Sequence, residues 1–257
     1  MARLFLSRLI SVTLTLTFAF AVTTGIACAE TINLMGEDDW YPYSAQKNGQ
    51  LRGFAVDVIE AAYASVNLQV NFVAAPYARC LMLVKSGQQL GCFDSLKDVK
   101  LTQDFLFHKE PIFKAMIGIY AKSDQPESRL NAASLSGHKV GLTHGYTYGD
   151  EVEKNPQIVR EIAPSDLSNF RKLLRGRSDY SLVYTRIADY LIATYPTEFK
   201  DKFKLLGIAV EDKLYVSFSK KQPDAERYAN LLDKGLSIIR SNGTYQKIEQ
   251  KWRTPAP

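Results

Sequence analysis

An alternation of short apolar runs with amphipathic segments constrains the fold of this chain more than any other feature. Thr31–Gly36 and Leu68–Ala74 have the composition of buried strands, and Phe54–Ser65 between them has the apolar spacing of a helix. A strand, a helix and a second strand in this order form a right-handed crossover between parallel strands. The beginning of the chain is therefore predicted to be an α/β unit.

The same alternation continues to the C-terminus. The predicted strands are Leu90–Asp94, Ala115–Ala121, Lys139–Thr143, Asp179–Tyr184 and Lys213–Ser219, and the predicted helices are Pro76–Ser86, Ser165–Arg175, Pro223–Arg240 and Thr244–Trp252. Strands that alternate with helices are typical of sheets with parallel strands. The sequence therefore predicts an α/β protein throughout.

The N-terminus has the features of a secretory signal. Two arginines precede the apolar run Leu9–Val22, and small residues suited to cleavage follow at 27–29. The run is too short to span a bilayer comfortably. We therefore expect residues 1–29 to be removed on export. Acylation of Cys28 is the alternative, although Gly25 stands where lipoprotein signals usually carry Leu.

The charge of the mature chain is close to balanced. Of 32 basic and 27 acidic residues, the leader contains two arginines, so the net charge after cleavage is about +3. No basic stripe of the kind found in nucleic-acid-binding proteins is present in the sequence, and nucleic acid is not an expected partner. A mature length of about 228 residues suits one large or two small domains.

Two motifs near the N-terminus resemble the start of a known family. Trp40-Tyr41-Pro42-Tyr43 follows the first strand, and Gly53-Phe54-Ala55-Val56-Asp57-Val58 opens the first helix. The pattern is similar to that of family 3 periplasmic solute-binding proteins, the polar-amino-acid binders of bacterial ABC importers. The tail from Lys220 to Trp252 also resembles the last pair of helices in this family.

The resemblance implies an architecture and a function. The fold is the two-lobed periplasmic-binding-protein type II fold, with hinge strands at Ala115–Ala121 and Lys213–Ser219. Residues 30–117 and 216–257 form a discontinuous lobe 1, and residues 118–215 form lobe 2. A monomer in the periplasm is expected to capture a small polar solute, amino-acid-like, amine or organic acid, between the lobes and deliver it to an inner-membrane ABC permease, without a cofactor.

The resemblance also implies ligand contacts from lobe 1. Trp40 and Tyr77 lie where the family places its stacking aromatic rings, although packing within the lobe is an alternative for each. Asp94 and Ser95 are expected to end a strand and to begin a loop that offers hydroxyls and amides to the ligand.

Lobe 2 is expected to contribute a loop after its core strand. Gly145, Tyr146 and Thr147 belong to a segment that resembles the family's glycine-flanked loop, whose amides and hydroxyl face the ligand at a helix start. Tyr146 replaces the usual small residue. We expect this bulk to narrow the pocket.

Two contacts typical of amino-acid binders are missing. The arginine that holds the α-carboxylate is replaced by Lys100, which lacks the planar fork of a guanidinium. Arg79 is a second candidate, with a surface charge as the alternative. The acid that accepts the α-ammonium falls on Tyr184, which is neutral at neutral pH. These departures argue against a standard α-amino acid as the ligand. The acids at 37–39 are candidates to bind a cationic solute, and the alternative is that they belong to a solvated loop.

Two cysteines, Cys80 and Cys92, remain in the mature chain. An even number in an exported protein favours a disulfide, and two buried free thiols are the alternative. The three histidines are dispersed without the spacing of metal ligands, so no metal site is predicted.

Two rival functions fit the same scaffold. Periplasmic cyclohexadienyl dehydratases resemble it, and their chemistry requires a cleft acid with a raised pKa as proton donor. The acids expected near the cleft are those at 37–39 and Asp94. A module that reports ligand occupancy to a membrane receptor is the second rival. A binding protein without enzymatic activity is the preferred interpretation.

Overall fold

The structure is a computed structural model that describes residues 30–252. The predicted signal peptide, and with it Cys28, lies outside the described residues. The strands are β1 (Glu30–Glu37), β2 (Asp39–Trp40), β3 (Ser44–Lys47), β4 (Gln50–Arg52), β5 (Leu68–Ala75), β6 (Gly91–Leu96), β7 (Phe105–Phe107), β8 (Phe113–Lys122), β9 (Lys139–Thr143), β10 (Val159–Ala163), β11 (Tyr180–Tyr184) and β12 (Phe203–Ser219).

Helices separate most of these strands. They are α1 (Phe54–Ala64), α2 (Tyr77–Ser86), α3 (Val99–Asp104), α4 (Asp150–Glu153), α5 (Asp166–Leu174), α6 (Thr185–Thr194), α7 (Pro196–Phe199), α8 (Ala225–Ser241) and α9 (Thr244–Lys251), with a 3₁₀ turn at Ala132–Leu135. None of the helices in the described part of the chain is long and apolar enough to cross a membrane.

One large sheet runs through the described residues in the order β10-β9-β11-β8-β12-β6-β1-β5, and β7 pairs with β12. Strands β5, β1 and β6 are mutually parallel and form a first parallel section. Strands β10, β9 and β11 are likewise parallel and form a second parallel section. The α/β prediction is confirmed, and the sheet has the two parallel parts that a two-lobed protein requires.

The two sections are joined by β8 and β12, which pair with each other in antiparallel orientation. Strand β12 has 17 residues and is therefore much longer than the predicted Lys213–Ser219. Its pairing with β8 shifts register between Leu205 and Gly207 and again between Ile208 and Val210. These irregularities break the period-two pattern that identifies a strand in a sequence, which is why the first half of β12 was missed.

The glycine of the Gly-Phe motif has a direct structural role. Gly53 precedes α1 with a φ of 154°, and a Cβ atom at this position would overlap the carbonyl oxygen of Tyr43. The backbone nitrogens of Phe54 and Ala55 donate to the carbonyl oxygens of Pro42 and Tyr43 at 2.8 and 3.0 Å. Close backbone approach requires a residue without a side chain, so the motif fixes the aromatic run against the start of α1.

Two local predictions were wrong. Asp94 and Ser95 lie inside β6, which continues to Leu96, and the following segment forms the short helix α3, capped by the Asp98 carboxylate, which accepts from the backbone nitrogen of Leu101 at 2.7 Å. The predicted start of α8 at Pro223 is also too early. Asp224 is the N-cap, and the helix begins at Ala225.

Candidate functional site

A narrow cavity lies between the two parallel sections, with about 20 Å³ of space that a water-sized molecule can enter. This is room for about one water molecule, so a larger solute requires the surrounding side chains to move apart. Five lining residues belong to the first section and the segments around it, and three belong to the second. The lining residues are Glu37, Trp40, Tyr77, Asp94, Leu96, Tyr146, Thr147 and Tyr184.

Aromatic rings from both sections form one wall of the cavity. The ring of Trp40 stacks on Tyr43 with centroids 4.4 Å apart and meets the edge of Tyr184 at 4.9 Å. Tyr43 in turn stacks on Phe113 of β8 at 4.8 Å. Trp40 is 2% exposed, and its Nε1 has no hydrogen-bond partner among residues 30–252. Trp40 therefore belongs to the core and to the cavity wall together, so the two interpretations of this residue are not exclusive.

Asp94 places a carboxyl group at the cavity. Its φ of 63° is unusual for a non-glycine residue inside a strand, although aspartate tolerates this region better than most. Ser44 Oγ donates to Asp94 Oδ2 at 3.0 Å, whereas Asp94 Oδ1 is buried without a partner. Burial raises the pKa of Asp94 to about 8, although the hydrogen bond from Ser44 opposes this shift.

Glu37 and Tyr146 connect the two sections across the cavity. Tyr146 Oη donates to Glu37 Oε1 at 2.6 Å, and the ring of Tyr146 meets the edge of Tyr77 at 5.9 Å. Burial raises the pKa of Glu37 well above its ordinary value, and the hydrogen bond from Tyr146 opposes this shift. A side chain of the expected lobe 2 is thus bonded directly to one of the expected lobe 1.

A larger adjoining cavity of about 280 Å³ shares Glu37, Tyr77 and Tyr146 with the first. It also contains Asp166, whose Oδ1 accepts from Thr143 Oγ1 at 2.5 Å. Burial raises the pKa of Asp166 to about 7. The acidic character of the site therefore extends beyond the inner cavity.

Asp212 lies behind the aromatic wall on β12. Tyr184 Oη donates to Asp212 Oδ2 at 2.9 Å, and burial raises the pKa of this carboxyl to about 6. Tyr184 occupies the position where the family has an acid, and its hydroxyl forms a hydrogen bond with an acid of β12 instead.

Asp166 and Asp212 are the functional-site acids that sequence reasoning missed. The expectation that 37–39 and Asp94 were the acids near the cleft was therefore incomplete. Asp166 directly follows the capping Ser165, and Asp212 directly precedes the predicted strand at Lys213. Each has a sequence position typical of a solvated acid, and only the tertiary structure buries them.

Six of the ten predicted ligand-binding residues line the inner cavity: Trp40, Tyr77, Asp94, Tyr146, Thr147 and Tyr184. The other four, Arg79, Ser95, Lys100 and Gly145, do not. Ser95 is buried, and its hydroxyl donates to the carbonyl oxygen of Cys92 at 3.2 Å. Gly145 has a φ of 83°, and a Cβ there would lie 3.2 Å from that of Ala78. The glycine thus permits the loop to approach α2 closely.

The two candidate carboxylate-binding cations lie outside the cavity. Arg79 is exposed on α2, two residues after Tyr77, and positions two apart on a helix face different directions. Lys100 is exposed on α3. Neither cation therefore lines the cavity. No described lining residue replaces the arginine that holds the α-carboxylate in amino-acid binders.

Cys80 of α2 is bonded to Cys92 of β6 in the structure, with their Cα atoms 5.8 Å apart. These two elements also carry Tyr77 and Asp94, so the disulfide links two parts of the cavity wall. Within residues 30–252, no group of three or more His, Cys, Asp or Glu side chains is placed to hold a metal ion.

Known proteins share both the sequence pattern and the fold. The ABC transporter arginine-binding protein 1 of Escherichia coli (strain K12) is 22% identical over 238 residues, which cover 90% of this chain and 93% of the relative. A solved ancestral arginine-binding protein bound to arginine has a TM-score of 0.73 and 21% identity, covering 86% of this chain and 97% of its own. A solved ancestral amino acid-binding protein, a precursor of cyclohexadienyl dehydratase, has a TM-score of 0.70 and 20% identity, covering 86% and 95%.

At these identities the structural likeness establishes the fold. The model of the family described as bacterial extracellular solute-binding proteins, family 3, matches residues 32–255, which include nearly all of the described chain. The sequence resemblance and the fold class are therefore confirmed, and the chain belongs to the family 3 bacterial extracellular solute-binding proteins.

Proposed function

We propose that this solute-binding protein captures a small polar solute in the inner cavity, by closure of two lobes, and delivers it to an inner-membrane ABC permease. The observation that carries the proposal is that side chains from both parallel sections line one cavity, and that two of the lining residues have a buried polar atom, Trp40 Nε1 and Asp94 Oδ1, without a hydrogen-bond partner among the described residues. Buried polar groups are normally hydrogen-bonded, so a bound solute would supply what these two atoms lack.

The proposed lobe boundaries fall within the crossing strands. Residues 30–117 and 216–257 form lobe 1, and 118–215 form lobe 2, so the chain passes between lobes inside β8 and inside β12. The bond from Tyr146 to Glu37 and the edge contact between Trp40 and Tyr184 then join different lobes. A solute that adds further contacts between the lobes shifts the population toward a closed form.

The cellular setting follows from the same proposal. Export through a cleaved leader places the protein in the periplasm, where family 3 proteins can meet a permease. The Escherichia coli relative is named as a binding protein of an ABC transporter, which supports importer delivery. A monomer that binds no nucleic acid remains our expectation.

A cavity-filling variant tests the capture step. Thr147 lines the cavity and is partly buried, so Thr147→Trp is expected to occupy the solute volume and to prevent closure. The control is Thr197→Trp, because Thr197 is exposed on α7. The mature protein is screened against amino acids, amines and organic acids by thermal shift, and closure is followed by small-angle X-ray scattering.

We expect a solute that raises the melting temperature and reduces the radius of gyration of the wild type and of Thr197→Trp, but not of Thr147→Trp. Equal responses in both variants would overturn the assignment of the cavity. Co-purification of the closed form with a permease supports importer delivery, whereas co-purification with a membrane kinase would identify a sensor.

A second candidate function is a lyase of the cyclohexadienyl dehydratase type. The observation in its favour is a cavity carboxyl, Asp94, with a pKa of about 8, which suits a proton donor. Against it, the inner cavity has no Lys or Arg among its described lining residues to hold the carboxylates of such a substrate. Turnover of prephenate or arogenate by the purified protein would decide for the enzyme.

A further inference from the structure

Apart from tyrosine, the ionisable side chains of the inner cavity are all carboxylic acids. Its described lining contains two carboxyl groups, Glu37 and Asp94, four aromatic side chains, one threonine and one leucine, and no lysine, arginine or histidine. The adjoining cavity adds Asp38, Asp39 and Asp166 against one exposed histidine, His144. A solute that enters this site meets acids and ring faces from both lobes.

We propose that the solute is a small protonated amine that carries no carboxylate group, with its N–H donated to Asp94 and its charge over the cavity's aromatic rings. This inference rests on the proposed function, and it narrows the three solute classes left open by the sequence to one.

The unpartnered oxygen of Asp94 requires a hydrogen-bond donor. Ser44 already occupies Oδ2, and Oδ1 has no partner within the described residues. An ammonium group has donors and no acceptor, and it would form a charge-assisted bond with this oxygen. The pKa of Asp94 is raised by burial, and a bound cation would supply the opposite charge that burial otherwise denies the carboxylate.

The rings provide the second attraction. Trp40, Tyr77, Tyr146 and Tyr184 all line the cavity, and no side chain of residues 30–252 makes a cation–π contact with any of these four rings. A desolvated cation over such ring faces is attracted by their negative electrostatic potential. The rings therefore favour the positive end of a solute without specifying the rest of it.

A carboxylate on the solute would be destabilised in the same place. It would lie beside Glu37 and Asp94 without a guanidinium or ammonium partner, because Arg79 and Lys100 point to solvent outside the cavity. A carboxylate buried without an opposite charge loses its hydration without compensation, and its charge would also oppose the ionisation of Asp94. An amine and the amino acid from which it differs by one carboxylate should therefore bind with very different affinities.

Four matched pairs test this directly: histamine with histidine, agmatine with arginine, cadaverine with lysine, and tyramine with tyrosine. Isothermal titration calorimetry of the mature protein gives the affinity of each. We expect the amine of at least one pair to bind about tenfold or more tightly than its amino acid. An amino acid that binds as tightly as its amine, or a panel in which no amine binds, overturns the inference.

A matched pair of variants locates the interaction. Asp94→Asn preserves the shape of a residue that must adopt a positive φ, and it should weaken amine binding about tenfold or more. Asp104→Asn removes the same charge from the same lobe at a partly exposed position, where Asp104 pairs with Lys85, and should leave the affinity within about twofold. An unchanged affinity in Asp94→Asn overturns the assignment to this carboxyl.

Different results would overturn the proposed function and the amine inference. If a solute of another class closes the lobes and Thr147→Trp blocks it, the amine inference is overturned while the proposed function stands. If solute binding is unaffected by Thr147→Trp, the cavity itself has been wrongly assigned.

Discussion

The inner cavity and a groove beside it contain the same kinds of side chain, but only the groove contains its own positive charges. This outer groove is lined by Tyr41, Lys47, Arg52, Asp57, Tyr190, Lys251 and Trp252. Lys47 Nζ lies 4.8 Å from the ring centroid of Tyr41 and 5.5 Å from that of Tyr190, and it donates to Tyr190 Oη at 3.1 Å. The chain itself supplies the cation that these rings attract.

The carboxyl group of the groove is satisfied in the same way. Asp57 Oδ2 accepts from Lys251 Nζ and from Trp252 Nε1, both at 2.7 Å. In the inner cavity, by contrast, Asp94 Oδ1 and Trp40 Nε1 have no partners in the described chain. The rings and the acid of the outer groove are therefore paired within the chain itself, whereas the proposed solute would complete the pairing in the inner cavity.

The largest expected effect is the difference in solute binding between substitutions of the two tryptophans of the chain. Trp40→Ala removes a core ring at 2% exposure and should lower the free energy of unfolding by about 3–5 kcal/mol, with loss of solute binding. Trp252→Ala in the outer groove should also destabilise the fold but retain binding. Urea denaturation and calorimetric titration with the amine selected from the matched pairs measure both. Loss of solute binding in both variants would contradict the distinction between the inner cavity and the outer groove.

A smaller effect should appear in the pH dependence of stability. Asp94 binds its proton more tightly in the native chain than in the unfolded chain, so its contribution to the free energy of unfolding falls as the pH rises from about 4 to about 8. The slope is at most about 1.4 kcal/mol per pH unit for one group. Glu37, Tyr43 and Tyr77 are the titratable groups that interact with it.

The difference between wild type and Asp94→Asn isolates this carboxyl. The comparison is necessary because burial lowers the pKa of His108, and this histidine therefore favours stability at higher pH. Denaturation curves from pH 5 to 8 should show the wild type losing stability relative to the variant. Amine affinity should rise with pH over the same range, by up to about tenfold per unit. A difference that is flat in pH would show that Asp94 is already ionised without a guest.

The smallest effect is expected in the outer groove. Lys47→Met removes an exposed ammonium from Tyr41 and Tyr190 and should cost about 0.5–1 kcal/mol of closed-state stability, equivalent to a two- to fivefold weaker solute affinity. The control Lys114→Met breaks an exposed pair with Glu211 between β8 and β12 and should have no effect on affinity. A tenfold loss in Lys47→Met would mean that the groove controls closure as strongly as the cavity does.

Strands with a clear local sequence pattern were predicted well, and strands with an interrupted pattern were not. Strands such as Lys139–Thr143 were predicted with their observed bounds, because a short apolar run is buried on both faces of a parallel sheet. The first half of β12 was missed because its register shifts break the pattern, and the end of β6 was placed too early because an aspartate inside a strand, here Asp94 with positive φ, resembles a turn residue.

The sequence located the aromatic residues of the cavity better than the charged ones. Trp40, Tyr77, Tyr146 and Tyr184 line the cavity, since their positions at strand and helix ends fix their location, and their contact with a ligand stays a prediction. Arg79 and Lys100 do not, because one or two positions along a helix decide whether a side chain faces the cleft or solvent.

The sequence by itself determined the family, the alternation of strands and helices, and the absence of an arginine and an acid at the positions that hold a standard amino acid. Only the tertiary structure decided the chemistry of the cavity. It buried Asp166 and Asp212, and it left one oxygen of Asp94 without a partner. The physical reason is that the charge state of a carboxyl group depends on its solvent exposure and its neighbours, and these come from segments far apart in the chain.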